Sequence, residues 1–400
     1  MPAGGTASVI AWMFLLFTAT MGGMLYLHFF FAHRCWRRVR GVEAEDIDSN
    51  YVRREDYFGQ SFRAKLHSWM ELPTTALPDG MRAIQHGSER IELGPGRSLA
   101  DRSKSDDVLV IEGDFSCGSF CQLGREIYAQ RNVVIGQATE CQAIAADGDI
   151  SLGPDVQVSR WVDCWGTLRL AKGSIVHSRA SSRTAAHLEL GAQALSVFAP
   201  EIIIGAVAHL HVPPVMESSA AESSPERVAI PPDSDDSREA LKKAGVDPEK
   251  FRSLSADCWI YQGSLRPTSA VRVTSHLVVR GDCDIPAGSL LEHDVKASRN
   301  LRIGADSECQ ANLIAEKSLS VGARVRFSGV IHANEEILLG PEVRGESGSG
   351  PVAVDAGSWL YVEEGVSVHG KLSSGERVRV VDTAFAESWR KKFESWRDRS

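Results

Sequence analysis

Apolar residues fall two apart in short bursts along most of this chain, each burst enclosing one residue that points the other way and often followed by glycine. Val133/Ile135/Gly136, Ile150/Leu152/Gly153, Leu168/Leu170 and Leu188/Leu190/Gly191 form one series, with Ile202/Ile204/Gly205 at its end. Leu301/Ile303/Gly304, Leu319/Val321/Gly322 and Ile337/Leu339/Gly340 form another. Apolar positions two apart trace one face of a strand, whereas a helix needs spacings of three and four. The bursts recur at steps of 17, 18 and 20 in the first series and 18 and 18 in the second. At about 3.3 Å per residue, one step is roughly 60 Å of extended chain, enough for three short strands joined at tight corners. The pattern therefore predicts a β-solenoid. Apolar residues point inward, Ser151, Arg169, Glu189, Arg302 and Ser320 face water, and glycine supplies the positive φ or close approach of a corner. No rung buries a core alone, so stability is expected to accumulate by stacking.

The two series are copies of one another. Residues 131–143 (RNVVIGQATECQA) and 299–311 (RNLRIGADSECQA) agree at eight of thirteen positions at an offset of 168. Gly113-Asp114 pairs with Gly281-Asp282 at the same offset, and Ile127 with Val295. The expected fold class is all-β: two tandem parallel β-helix modules, at 106–212 and 253–381, with an N-terminal transmembrane helix and short flanking helices.

Ala7 to Ala32 carries no charge and is dense in Trp12, Phe14, Phe17 and Phe30, which suits a span of the hydrocarbon core. No Lys or Arg precedes it, whereas Arg34, Arg37, Arg38 and Arg40 follow, so the C-terminal bulk is expected on the cytoplasmic side. There is neither a basic leader nor a small-residue cleavage site, so residues 1–33 are expected to remain as an anchor. Those aromatics and arginines are the expected bilayer contacts.

Within the juxtamembrane region 34–105, Phe58, Phe62, Leu66 and Trp69 trace one face of a helix. Phe385, Trp389, Phe393 and Trp396 do the same in the tail 382–400. Either helix suits insertion into a leaflet or packing across an open solenoid end, which would hide its edge. The tail's acidic residues nearly cancel its basic ones, which favours packing. Residues 213–252 form a Pro/Ser-rich acidic linker with a short helix from about Arg238 to Ala244, stopped by Gly245.

Composition narrows the chemistry. A formal net charge of −8 argues against coating nucleic acid. The eight cysteines include no CxxC pair, and the duplicates Cys141 and Cys309 read as small core residues. His177, His187, His293 and His332 could serve as a general base at a coil corner, but none recurs in register in the other copy. His209 and His211 share a strand face and read as a solvated pair before they read as metal ligands. No phosphate loop, nucleophile elbow or zinc-protease motif occurs, and no catalytic residue, cofactor or metal is expected.

The Val-Ile-Glu-Gly-Asp run at 110–114, the Val-Val-Arg-Gly-Asp run at 278–282, the x-Val-x-Ile-Gly units and the turns Ile127-Tyr128-Ala129 and Val295-Lys296-Ala297 resemble the bactofilins, polymer-forming cytoskeletal proteins of bacteria. The resemblance covers about half the chain. It implies a right-handed three-sided β-helix, end-to-end filaments formed without nucleotide, membrane association and a role in cell shape or envelope growth. The duplication, the long apolar segment and the aromatic helices depart from that pattern.

The expected function is a scaffold in the bacterial inner membrane, N-terminus outside, that self-associates through coil ends and recruits envelope-synthesis proteins. Val110, Ile111, Val278, Val279, Ile337 and Leu339 are the expected self-association residues. A sugar-modifying β-helix enzyme, of acyltransferase or lyase type, and a monomeric anchored adaptor stand as alternatives.

Overall fold

The computed structural model describes helical positions scattered between 12 and 30, and then residues 54–77, 80–205, 227–232 and 234–398. The chain divides into two units, Met1–Arg54 and Glu55–Ser400. In the first, Trp12, Phe17 and Phe30 are helical and exposed. Phe14, Arg34, Arg37, Arg38 and Arg40 lie outside the described residues. Among those described, no helix is long and apolar enough to cross a membrane.

The second unit is a parallel β-solenoid of about 15 turns. Face 1 of the first copy runs through Glu89–Gly94, Val108–Ile111, the second half of Gln122–Ala129, the second half of Glu140–Ala146, Val162–Cys164 and the end of Ile175–Ser182, each parallel to its neighbours. Face 2 runs through Arg97–Leu99, Phe115–Cys117, Val133–Ile135, Ile150–Leu152, Leu168–Leu170 and Ala185–Leu188. Face 3 includes Lys104–Ser105 and Gln157–Val158. The second copy repeats this order with His276–Val279 on face 1, Cys283–Ile285 on face 2 and Leu290–Leu291 on face 3. The solenoid begins at Arg82, ahead of the expected boundary at 106, because Arg82–Ser105 already supplies strands on all three faces. Val228–Ile230, in the expected linker, likewise pairs with Val271–Val273.

Inward residues stack on their own kind, as in the column Phe115, Val133, Ile150 and Leu168, all inaccessible to solvent. The copies do not separate into independent cores: one apolar cluster runs from Leu109 to Val380. Cys141 and Cys309 lie inside it, as their duplication predicts.

The corner between faces 1 and 2 is held by a polar ladder. Asp114 Oδ1 accepts from Asn132, whose own Oδ1 accepts from the Asp149 amide at 2.9 Å; Asp149 in turn accepts from the Thr167 amide at 2.7 Å. Asp282, Asn300 and Ser318 repeat the ladder in the second copy. The Gly-Asp and Arg-Asn duplicates thus mark the places where backbone amides at a bend would otherwise go unpaired.

Of the two roles expected of the corner glycines, most of those that end face 2 strands serve close approach, whereas Gly191 and Gly205 have positive φ. At Gly322 and Gly340 a Cβ would lie 2.6 Å from Ala305 N and 2.8 Å from Val321 O of the rung beneath, so close approach excludes a side chain. The positive φ falls two residues later, at Ala138, Asp155, Asp306, Arg324 and Glu342.

Each copy opens with a reversed strand. Arg82–His86 pairs antiparallel with Glu89–Gly94, and Phe251–Ser255 with Cys258–Tyr261. Helix α1 is Tyr57–Met70, α2 is Asp235–Lys243 and α3 is Thr383–Asp398. Ser234 caps α2 by accepting from the Ser237 amide, and Gly245 ends it at φ 76°. Leu241 of α2, with Val246 and Phe251, closes the second copy's opening end.

The aromatic helices do not cover coil ends. α1 lies along the outside of face 1 of the first copy, burying Phe62, Leu66 and Trp69 against Val108, Val110, Ala143, Ala145 and Trp161. α3 lies against Leu338, Tyr361 and Val381 of the second copy through Ala386, Trp389 and Phe393. Each large apolar side chain so buried contributes about 1.5–3 kcal/mol, which explains why these stripes pack on strands: Val110, Ala143, Ala145 and Leu338 form apolar patches on the outside of the coil.

Candidate functional site

The two copies meet at their last rungs. Gln193–Ile204, the last strand of the first copy, pairs antiparallel with Ser367–Val381, the last strand of the second. Apart from the reversed opening strands the pairing is parallel, so here two stacks run head-on into each other. Face 1 meets face 1 through Ser196↔Ser373, Val197↔Leu372 and Phe198↔Lys371. Face 2 of the first copy, through Ile202↔Val368, meets face 3 of the second, whereas Ala194↔Val378 joins face 3 to face 2. A two-fold axis perpendicular to the rod and passing through face 1 produces this exchange of faces. The register slips at the two corners, between Ala194 and Ser196 and between Ala199 and Ile202.

Ala194, Val197, Ala199, Ile202 and Ile204 close on Val368, Leu372, Val378 and Val380 without exposed apolar surface. Hydrogen bonds continue around the circuit, from Ile204 N to Val366 O at 2.9 Å and from Val380 N to Ala192 O at 3.1 Å. Polar satisfaction is poorer. Ser196 Oγ, Ser374 Oγ and an Arg377 guanidinium nitrogen are buried along this seam without a partner, and His187 Nδ1 is buried one rung away. The other Arg377 nitrogen donates to His177 Nδ1 at 3.0 Å. Burial first, and the neighbouring guanidinium second, hold His177 below its ordinary pKa.

α1 reaches the seam from the side. Glu55 Oε1, just ahead of the helix, lies 2.5 Å from Lys371 Nζ, and Asp56 lies 3.7 Å from Arg183. Further along, Arg63 donates to Asp147 at 2.8 Å and also binds Asp163, while its guanidinium stands over Trp165 at 4.7 Å. Tyr128 donates to Asp147 at 2.6 Å. Burial raises the Asp163 pKa despite Arg63, and its two carboxylate partners keep Arg63 charged. A groove of about 510 Å³ between α1 and face 1 is lined by His67, Met70, Gln130, Tyr128 and Trp165.

The residues expected to mediate self-association occupy other places. Val110 lies beneath α1, and Ile111 and Val279 point into the core. Val278 is the half-buried outward counterpart of Val110. All four stand one strand in from their copy's reversed opening strand. Ile337 and Leu339 lie in mid-stack, paired on both sides. The spacing ends the first copy at Ile202/Ile204/Gly205, which does reach the seam, whereas the second copy's terminal strand Ser367–Val381 goes unrecognised because its residues fall outside the repeated bursts.

The candidate histidines are dispersed. His293 stacks edge-on against His276, His332 lies 3.1 Å from Asp355, and His209 and His211 are outside the described residues. Among the described residues no group of three or more His, Cys, Asp and Glu is arranged to hold a metal. Burial pushes Cys117 up to about 11 and Cys309 up to about 12, so these thiols behave as core residues and not as nucleophiles. Comparison with known proteins finds no matching family model, no matching curated protein and no matching solved structure.

Proposed function

We propose that this chain is a scaffold of bactofilin type, held at a bacterial inner membrane by its apolar N-terminal segment, self-associating and positioning envelope-building or cell-shape proteins. The seam carries this reading. Two coil cross-sections of this sequence are complementary enough to close a continuous core and a nearly unbroken hydrogen-bond circuit with no chain link across them. A surface with that property suits assembly by strand addition. The reversed strands and α2 at the outer ends favour a restrained form of the same reading, in which a short rod offers its sides to partners.

Sedimentation and negative-stain microscopy of the full chain in detergent, over a hundredfold concentration range, test the assembly. Particles that lengthen with concentration support it. A single monomeric species throughout overturns self-association and leaves the anchored adaptor. Alkaline extraction of membranes from the expressing cell tests the anchor, which fails if the chain is released.

A further inference from the structure

We infer that the seam is an exchange surface: the last rung of the first copy in one molecule docks on the last rung of the second copy in another, so neighbouring molecules join by trading half-rods. The inference rests on the scaffold reading and names the surface through which it operates.

Three observations carry it. Among the described residues the seam is the one place where the solenoid continues without the chain continuing through it, since Gly205 leaves the first copy there and the second copy begins at its far end. The seam also holds Ser196 Oγ, Ser374 Oγ and the Arg377 nitrogen without partners, whereas the corner ladders within each copy are satisfied. A boundary that leaves polar atoms unpaired is the weakest in the stack and the first to part. Finally, the outer ends carry reversed strands over face 1, and α2 packs at one of them, so on face 1 a strand edge free to take another coil arises by opening the seam.

Covalent reach permits the exchange. Gly205 rests against Gly365, and Arg227 donates to Gly288 O at 2.8 Å. Gly365 and Gly288 lie on one corner of the second copy, separated by Glu342, Arg324 and Asp306 on successive rungs. Four rung spacings amount to about 19 Å, while residues 206–226 span up to about 70 Å. The second copy of a neighbour held alongside is therefore as reachable as the molecule's own. Closure within one chain has an effective concentration on the order of millimolar, so exchange belongs to molecules crowded on a common surface.

The test uses two full-length chains with different tags, one carrying S196C and the other S373C, positions directly opposite across the seam. Directly opposed residues in an antiparallel pair suit a disulfide. Co-expression followed by non-reducing electrophoresis is expected to give a dimer carrying both tags, above the background of the parent chain. A chain bearing both substitutions that cross-links only within itself, while the mixed chains stay separate and the protein still sediments as an oligomer, overturns exchange but leaves the scaffold. A monomer at every concentration overturns both. A chain with all but three of residues 206–226 deleted supplies a second readout. Its connection, about 14 Å long, is too short to close on itself, so a folded dimer or larger species is expected. A compact monomer overturns the inference.

Discussion

Lys371, in the last strand of the solenoid, holds Glu55, two residues ahead of α1, at 2.5 Å. Residues 316 apart in the chain thereby fasten the start of α1 to the second copy, while the body of α1 is packed on the first. One ion pair therefore ties the two copies together from outside the seam.

Reversing that pair one side at a time should loosen the join. K371E is expected to destabilise by about 1 kcal/mol, the range of a partly exposed pair, and to speed hydrogen exchange at Val197 and Leu372. The double reversal E55K/K371E should restore both. If exchange at those amides is unchanged by K371E, the pair does not brace the seam.

Arg63 offers a larger effect. It neutralises Asp163, which is buried, and Asp147 beside it. R63A leaves a buried carboxylate uncompensated, so a loss of about 3–5 kcal/mol is expected in chemical denaturation. R63A/D163N should recover most of it. Gly59 reports on the same contact: a Cβ there would run into the Asp163 side chain, so G59A should loosen α1 without altering the core columns.

The division of labour among corner residues gives opposite signs for changes in opposite directions. G322A should destabilise strongly, because the added methyl meets Ala305 N at 2.6 Å, whereas G348A, with nothing within 4 Å, should be silent. Phe120 has φ 61° and is 55% exposed. F120G is expected to raise stability by up to about 1 kcal/mol through relief of a left-handed conformation. Melting temperatures of the three variants decide the matter.

Acidification should open the seam before it unfolds the coils. His177 and His187 are both held below their ordinary pKa of 6.5, chiefly by burial, with Arg377 and Arg169 adding to it and Glu201 opposing it at His187. The unfolded chain then binds protons that the folded chain refuses, so stability falls as pH drops through and below 6.5. Asp163 and Glu363 work the other way, because burial raises their pKa and the fold binds protons more readily there. Denaturation midpoints at pH 8 and pH 5.5 should therefore differ most for seam probes, and H177Q should shrink the difference. Equal midpoints at the two pH values would dismiss the histidine effect.

The coil itself was legible because a period-2 burst repeated every 17 to 20 residues has one economical interpretation, while the corner role of the duplicated Asp114 and Asn132 emerged only from their hydrogen bonds. The helices α1 and α3 were legible as amphipathic elements, yet not their docking, since an aromatic stripe fits a side face as well as an end. Val110 and Leu338 gave the relevant signal: apolar residues in positions that alternation assigns to solvent. The seam lay beyond reach. Antiparallel closure between the two last strands depends on their tertiary meeting, and the orphaned Ser196 and Arg377 look in the sequence like any outward polar residue. Which of its two expected roles glycine plays at Gly322 and Gly340 was not legible, because close approach and left-handed φ favour the same residue type.

The two-fold relation between the copies leaves the rod with two beginnings and no finish. The order of the rungs runs from each outer end toward the middle, and the strands of a shared face reverse sense at the seam, so a partner travelling along the surface meets one sense of the backbone and then its reverse. Such a track has no forward direction. It can mark a location and hold cargo there, but cannot by itself tell that cargo which way to go.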